Sequence, residues 1–318
     1  IVDVTYCYKP LYDSTLKIGV KAGESCTKDE SPKLPQSGKL TWQKNNITDA
    51  TTRYTYKKNG MLNEVYDVKD GDDTELYNYA YDKNGNRKEA DYRGTAVRDL
   101  TFNAENQITT SGYTYDGAGN LTARPASSGQ GALTGIAYTA AEQPKSVVRN
   151  GTTYTYKHAG TDNNEMLQQT TPEGTYSFAY GRPSQTKVPT IETVSLAGSR
   201  ANGTANVITD PTTGQALMLR TSTGMQSMYI YDGTPGSPIA LVTSGSYTAF
   251  AAAYDPYGLP TITDDSGGYG VPQNPYAFAG GIQDRATGFV HYGLRYYDPA
   301  PGTWTQRDTL DNPLSPRD

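Results

Sequence analysis

The chain has 318 residues, enough for about two domains of ordinary size or for one large β architecture. Its 35% hydrophobic and 19% charged residues lie below the usual shares of a globular chain. With 27 Tyr against 5 Phe and 2 Trp, and with 33 Gly and 19 Pro, the composition favours strands and turns and argues against disorder.

Charge and hydropathy argue against two classes of partner. The 28 basic and 33 acidic residues give a net charge of -5 without a run of five or six like charges, which disfavours a nucleic-acid partner. The longest apolar run, Ala249–Ala253, is far shorter than the roughly 20 residues of a membrane helix, so no membrane insertion is expected. Ile1–Tyr8 is predicted to be a strand, and any export signal is expected upstream of it.

The chain has two cysteines, Cys7 and Cys26. They show no CxxC or Cys/His spacing, so a metal site is not expected. A disulfide that closes a short loop is predicted for an exported protein. The alternative is two free thiols.

Aromatic-x-aromatic triplets recur along the chain and define a repeat. Because side chains at i and i+2 of a strand share one face, each triplet places two rings on one side, and a stripe of stacked rings is predicted. Between Tyr56 and Tyr156 the last aromatic residues of successive copies lie 13 to 25 residues apart, which is too elastic for a rigid-period solenoid. The triplets are Tyr6–Tyr8, Tyr54–Tyr56, Tyr79–Tyr81, Tyr113–Tyr115, Tyr154–Tyr156, Phe178–Tyr180, Tyr229–Tyr231 and Tyr276–Phe278, and weaker copies end at Phe102 and Tyr138.

A turn signal follows several triplets. Tyr81–Arg87 reads YDKNGNR and Tyr115–Leu121 reads YDGAGNL. Asn-Gly supplies the positive φ angles of a tight hairpin, and an Asp after Tyr can bond its own turn backbone. Each unit is therefore predicted to be a strand, a hairpin turn and a return strand. Helical spacing of apolar residues is almost absent, so we expect an all-β fold.

Two stretches carry a family resemblance. Tyr113–Thr122, which reads YTYDGAGNLT, resembles the YD repeats of bacterial YD-repeat or RHS-repeat proteins, to which the core of the animal teneurins is similar. Residues 274–306 resemble the RHS-associated core, with Arg295–Pro299 and Gly302–Trp304 as landmarks. The predicted division is a YD-repeat array at 1–182, an irregular repeat segment at 183–226, the last YD repeats at 227–273 and the start of a truncated RHS-associated core at 274–318.

The resemblance implies a fold and a role. The implied fold is a spiralling antiparallel β-sheet of YD/RHS repeats that forms part of a hollow shell, plugged at one end by the C-terminal core. In the bacterial family such a shell encloses a toxin, so the implied partners are a polypeptide cargo and other segments of the same long chain. The implied location is secreted or at the bacterial cell surface. Low aliphatic content and amphipathic Tyr suit a wall with little solid core, and no cofactor is expected.

Asp308 is the one candidate catalytic residue. The resemblance implies that longer relatives cleave themselves after the core with two carboxylates that share one proton. Asp308 lies where the family begins its first Asp-Pro-x-Gly string, although Thr309 replaces the Pro. The sequence reaches Asp318 without a second acidic string, so the alternative for Asp308 is an ordinary turn carboxylate. We expect the isolated chain to have no catalytic turnover.

Four other sites have structural interpretations. Asp265–Gly267 spells an aspartic-protease tripeptide within a loop-like stretch and is interpreted as a turn, as is the acidic run Asp70–Asp73. His158 is predicted in a turn and His291 in a strand. Neither has a Cys, His or nucleophile pattern near it, so metal and triad roles are not expected.

Three functions from different classes remain open. The first is a structural shell that encapsulates a polypeptide. The second is a cell-surface adhesin or glycan-binding module, because stacked rings also suit sugar faces. The third is part of an autoproteolytic RHS core, which requires a second acid. The orientation of the Tyr stripe discriminates between the first two functions, and the sequence beyond Asp318 decides the third.

Overall fold

A computed structural model describes residues 3–8, 39–69, 72–127, 130–159, 165–181, 190–198, 202–232, 236–244, 248–264 and 274–308. Within these ranges the chain forms antiparallel strands and one short 3-10 helix, Phe278–Gly280, which confirms the predicted all-β fold. The described residues form no helix that is long and apolar enough to cross a membrane.

The chain divides into two compact units, and the first comprises residues 1–108. It contains a seven-stranded sheet whose antiparallel strands follow one another in chain order. They are β1 (Val4–Cys7), β2 (Trp42–Asn45), β3 (Thr51–Tyr56), β4 (Leu62–Lys69), β5 (Asp72–Tyr81), β6 (Arg87–Tyr92) and β7 (Thr95–Asp99). Cys7 is buried in β1 and disulfide-bonded, while Cys26 lies outside the described residues.

The second unit, residues 109–316, is built around a twelve-stranded antiparallel sheet, again in chain order. The two-stranded sheet β8–β9 precedes it and the four-stranded sheet β22–β25 follows it. The strands are β8 (Thr114–Tyr115), β9 (Leu121–Ala123), β10 (Leu133–Tyr138), β11 (Pro144–Arg149), β12 (Thr152–Ala159), β13 (Glu165–Thr171), β14 (Gly174–Gly181), β15 (Thr190–Gly198), β16 (Asn202–Thr209), β17 (Ala216–Thr221), β18 (Gln226–Tyr231), β19 (Pro238–Thr243), β20 (Thr248–Tyr254), β21 (Pro260–Asp264), β22 (Ile282–Gln283), β23 (Val290–Tyr292), β24 (Arg295–Asp298) and β25 (Thr303–Trp304).

The predicted segments can be placed on these units. The division after residue 108 falls inside the predicted array 1–182. Strands β15, β16 and β17 lie in the predicted irregular segment 183–226, and they are continuous with the rest of the twelve-stranded sheet. The boundaries at 182/183, 226/227 and 273/274 stay predictions.

Most aromatic triplets end at a β-bulge. In the β3–β4 pair, for example, Thr55 lies opposite Glu64 but Tyr56 lies opposite Leu62, so the returning strand contains one extra residue. A bulge increases the local twist of a strand pair, and the twist of both units is therefore increased where their triplets end. The same irregularity precedes Tyr81, Tyr115, Tyr138, Tyr180 and Tyr231.

The final tyrosines of the repeats also bind the preceding strand. Each of them, and likewise Tyr254 of β20, donates its hydroxyl to the backbone carbonyl of a residue within two positions of the start of the preceding strand. The bonds run from Tyr56 to Leu40 (2.7 Å), Tyr81 to Leu62 (2.7 Å), Tyr138 to Leu121 (2.8 Å), Tyr180 to Met166 (3.0 Å), Tyr231 to Ala216 (2.5 Å) and Tyr254 to Pro238 (3.2 Å). Burial raises the pKa of Tyr56 to about 12, with Tyr8 adding to the rise, so this hydroxyl stays a donor at neutral pH. The repeated bond explains why the sequence uses Tyr rather than Phe.

The turn after the triplet forms as the sequence predicts. Asp82 accepts hydrogen bonds from the backbone amides of Asn84 and Asn86, both at 2.9 Å. Gly85 adopts a φ of +94°, the left-handed conformation that favours glycine. Partial burial tends to raise the pKa of Asp82, but the hydrogen bonds from Asn86 and the turn backbone lower it overall. Asp116 makes the equivalent turn after Tyr115.

One face of the twelve-stranded sheet is apolar and packed. Tyr229 and Tyr231 stack on this face with ring centroids 5.9 Å apart, as predicted for residues at i and i+2. The buried cluster joins residues from successive strands to others from residues 274–308, so the second unit has a solid core that its low aliphatic content did not predict. Among its members are Val147, Met166, Ile191, Val194, Leu196, Leu219, Leu241, Tyr276, Phe289 and Tyr296.

We predict that Tyr81→Phe destabilises the first unit by about 1 kcal/mol, because it removes the hydroxyl that bonds the Leu62 carbonyl while keeping the ring. Tyr92→Phe, at a tyrosine that is 40% exposed in the same unit, is the matched control and should change the free energy of unfolding by a few tenths of a kcal/mol at most. In a Trp304→Phe background the buried Trp42 is the only Trp, so urea unfolding followed by Trp fluorescence reports on this unit. Equal effects of the two substitutions would contradict the prediction.

Candidate functional site

The C-terminal module, defined here as residues 274–308, packs on the apolar face of the twelve-stranded sheet. The module supplies Phe289 and Tyr296 to the shared core. Hydrogen bonds between side chains and backbone carbonyls also hold the module in place. Side chains on the sheet side of the contact bond carbonyls of the module, and a side chain of the module bonds a carbonyl on the sheet side. They run from Gln143 to Leu294 (2.7 Å), Arg149 to Ala286 (3.1 Å) and Gln306 to Glu142 (2.8 Å).

Asp284 is a fully buried carboxylate at the centre of this contact. It accepts hydrogen bonds from the Tyr156 hydroxyl at 2.8 Å and from the Gln169 side-chain amide, which belong to β12 and β13. The backbone amides of Ala286 (2.9 Å) and Thr287 (3.3 Å) also point at it. Burial raises the pKa of Asp284, while these donors favour the charged form and oppose the rise. Four donors on one buried carboxyl group make Asp284 an anchor between module and sheet.

Two imidazole rings meet beside this anchor. His158 comes from β12 and His291 from β23, and their ring centroids are 5.9 Å apart. His158 was predicted in a turn, and this is wrong, because the Lys157–Ala159 stretch continues β12 and pairs with β13. The prediction of a strand at His291 is confirmed. Burial lowers the pKa of His158 to about 4 and, together with the neighbouring His158, lowers that of His291 to about 3.

A buried ion pair ties the module to Arg124, the residue that directly follows β9. Arg124 Nε lies 3.0 Å from Asp298 Oδ2, and both side chains are almost fully buried. The same guanidinium donates to the Gln130 side chain at 2.6 Å and to the Thr287 carbonyl at 2.9 Å. The Asp298 carboxylate also caps its own turn through the Ala300 amide at 3.0 Å. Asp298 is therefore both a turn residue and the counter-ion of a buried arginine.

Asp308, the candidate catalytic residue, lies beside Arg295. The two form an ion pair of 2.9 Å, and their side chains are 16% and 19% exposed. The Arg295 guanidinium also lies over the Trp304 ring, 4.2 Å from its centroid. The geometry thus gives Asp308 a structural partner. Its catalytic role stays a prediction.

The other acidic candidates do not form a site in the described part of the chain. Asp265–Gly267 and the first two residues of Asp70–Asp73 lie outside the described residues, and Asp73 forms an ion pair with Arg53. Among the residues that the structure describes, no three His, Cys, Asp or Glu side chains are arranged to hold a metal ion.

The turn that contains Asp284 shares its sequence spacing with two other turns. Asp210, Asp284 and Asp298 each stand four residues before a glycine, and in each case the glycine amide bonds the Asp carbonyl at 2.8 to 2.9 Å. In all three turns the Asp carboxylate also accepts the amide two residues on. These three turns therefore share the Asp-x-x-x-Gly spacing, although the same spacing at Asp67 falls within β4. Only the packing of the module shows that Asp284 and Asp298 are buried while Asp210 faces solvent.

We predict that Asp284→Asn lowers the free energy of unfolding by about 1 to 3 kcal/mol, because an amide cannot accept bonds from all four donors. Asp284→Ala should cost more, since it leaves Tyr156 and Gln169 buried without an acceptor. Asp210→Asn is the control, because asparagine keeps the acceptor for the turn amides there. The measurement is urea unfolding followed by Trp304 fluorescence in a Trp42→Phe background. Similar costs at positions 284 and 210 would show that Asp284 is not an anchor.

We predict that Arg124→Met destabilises the second unit by about 3 to 5 kcal/mol, because Asp298 would remain buried without its counter-ion. Adding Asp298→Asn should recover part of this loss. Arg295→Met breaks the more exposed pair with Asp308 and should cost about 1 kcal/mol. Thermal unfolding of the four proteins measures the difference, and a double variant no more stable than Arg124→Met alone would refute the ion-pair explanation.

Two curated relatives match most of this chain. Of the curated relatives, the "tRNA3(Ser)-specific nuclease WapA" of Bacillus spizizenii is 29% identical over 264 residues, and the "tRNA nuclease WapA" of Bacillus subtilis is 28% identical over 265 residues. Each match covers 78% of this chain but 10% of the relative, so the chain spans about a tenth of the length of these proteins.

The solved structures that match this chain include parts of toxin complexes. The crystal structure of TcdB2-TccC3-TEV is 15% identical, with a TM-score of 0.39, and the match covers 86% of this chain and 18% of that one. A Tc holotoxin pore of Photorhabdus luminescens carrying a TccC3 mutation is 13% identical, with a TM-score of 0.40 and coverage of 88% and 18%. The family model described as teneurin YD-shell matches residues 12–314, and the chain therefore belongs to the teneurin YD-shell family.

Proposed function

We propose that this chain is a wall segment of a YD-repeat shell that encloses a polypeptide cargo, and that its C-terminal module closes or lines part of that wall. The observation that carries the proposal is the twelve-stranded sheet, in which every strand pairs with its neighbours in chain order. Such a sheet extends by adding hairpins and forms a wall rather than a pocket. Family membership supports the same role.

The proposed cargo is a toxin domain of the same long polypeptide. Two curated relatives are named as tRNA nucleases, and this chain matches only a tenth of each. A nuclease activity in such a protein can therefore reside outside the matched part. We place this protein in the secreted or cell-surface class and assign no catalytic turnover to the chain itself.

The contacts favour the wall over a glycan-binding surface. The hydroxyls of Tyr56, Tyr81, Tyr138, Tyr180, Tyr231 and Tyr254 are bonded to backbone carbonyls. Tyr229 is buried, and its hydroxyl bonds Asn274 of the module at 2.9 Å. These tyrosines therefore make contacts within the protein, whereas stacking on a sugar needs exposed ring faces.

The test is protection of the cargo in the full polypeptide in which this chain occurs. After limited proteolysis at neutral pH, the segment that carries toxin activity should survive at protease concentrations that digest the same segment expressed alone. Asp284→Ala, which removes the anchor of the module, should expose it, while Asp210→Asn should not. Equal digestion of the enclosed and the isolated segment would refute enclosure.

Two further assays separate the alternatives. The isolated chain should not cleave tRNA, and turnover would show that the chain itself is an enzyme. Specific glycan binding that is lost on substitution of an exposed tyrosine would favour the adhesin. For the autoproteolytic alternative, Asp308→Asn in the full polypeptide should leave any self-cleavage unchanged if Asp308 serves only as the partner of Arg295.

A further inference from the structure

Both histidines of the chain lie in the same buried contact. The sequence has two histidines, and they come from opposite sides of the contact, His158 from the twelve-stranded sheet and His291 from the C-terminal module. Tyr296 of the module lies against both rings, stacked on His291 at 4.5 Å and edge-on to His158 at 6.0 Å between centroids. Both imidazoles of this chain therefore lie where the module meets the sheet.

The surroundings offer little to balance a charge on these rings. His158 Nε2 shares a 2.7 Å hydrogen bond with the Tyr296 hydroxyl, a neutral partner. Among the described residues, neither ring nitrogen of His291 has a hydrogen-bond partner of normal geometry, although the nearby Gly293 backbone slightly favours its protonation.

The groups that face the pair are mostly neutral on every side. Tyr156 stacks on His158 within β12, and Met166 of β13 contacts the Tyr296 hydroxyl at 3.6 Å. The charged neighbour is Asp284, and its hydrogen bonds go to Tyr156, Gln169 and backbone amides. Tyr138 and Tyr180 face Tyr296 from β10 and β14. A proton added to either histidine would thus place a poorly balanced charge in the core, and two protons would repel each other.

We propose that His158 and His291 form an acid-sensitive latch, in which protonation of the two rings loosens the C-terminal module from the twelve-stranded sheet. The latch is a property of this contact and holds whether or not the wall encloses a cargo. It also explains why both histidines lie in this contact, since neither the Asp284 anchor nor the ion pairs involve them.

The direction of the pH effect follows from linkage. Burial lowers the pKa of both rings, from 6.5 to about 4 for His158 and about 3 for His291, so the docked state binds fewer protons than the detached state. The stabilisation is complete above pH 6.5 and is lost as the pH falls below that value. At pH 5 each histidine then favours detachment by about 30-fold, and the two together by about 800-fold, relative to pH 7.5.

The test uses hydrogen–deuterium exchange of the full chain between pH 7.5 and pH 5, expressed as protection factors to remove the intrinsic pH dependence of exchange. Protection of Val290–Tyr292 and Arg295–Asp298 should fall by at least 30-fold, while protection of Thr51–Tyr56 in the first unit should stay constant. The variant His158→Gln/His291→Phe keeps a partner for the Tyr296 hydroxyl and a ring stacked on Tyr296. In this variant the fall should be reduced to a few-fold. A fall in protection in the variant as large as in the wild-type chain would overturn the proposal.

A second measurement keeps the proposal testable if the double variant does not fold. NMR titration of the wild-type chain gives one set of imidazole signals for each of the two histidines. Both should resist protonation while the module is docked and titrate together with the loss of its protection. Two independent titrations near pH 6.5 without loss of protection in the module would overturn the proposal.

Discussion

The hydrogen bond from the last tyrosine of a repeat to the carbonyl of the preceding strand is the interaction on which the rest of the structure depends. Hairpins repeated in chain order have ladder bonds along their length, but a bulge interrupts the ladder where the triplet ends. At Tyr81, for example, the bulge displaces the pairing with β6 while the hydroxyl bonds Leu62 at the start of β4. A ring with a hydroxyl can pack on the core face and bond the neighbouring strand at once. Phenylalanine could only pack.

This arrangement also explains the uneven spacing of the repeat. The contact is local to two neighbouring strands, so a longer or shorter hairpin does not disturb the next one. The tyrosine and its acceptor are separated by 14 residues at Tyr180 and by 19 at Tyr81. A solenoid whose repeats stack in fixed register would not accept such variation. The segment with the weakest sequence repeat nevertheless continues the twelve-stranded sheet through β15, β16 and β17.

The contact of the C-terminal module is built differently, from buried polar groups whose partners are supplied by the opposite side. Asp284 receives donors from β12 and β13, and Asp298 pairs with Arg124, which directly follows β9. A buried polar group that loses its partner is costly, so these contacts favour one docked arrangement over any alternative packing of the same apolar surfaces. The histidine pair adds dependence on pH, because the same burial that excludes water also excludes the protonated ring. The contact between the C-terminal module and the sheet therefore provides both stability and dependence on pH.

The sequence alone determined the strand-turn-strand unit, because triplet periodicity, the Asp after Tyr and the glycine turn are local effects of side-chain alternation and backbone conformation. It also indicated the family through residues 113–122 and 274–306. It could not show that His158 lies in a strand rather than a turn, or that it meets His291, since that contact joins distant parts of the chain. Nor could it distinguish Asp284 and Asp298 from Asp210, which share one turn spacing. Burial by the docked module makes that difference, and only the tertiary structure decides which surfaces the module covers.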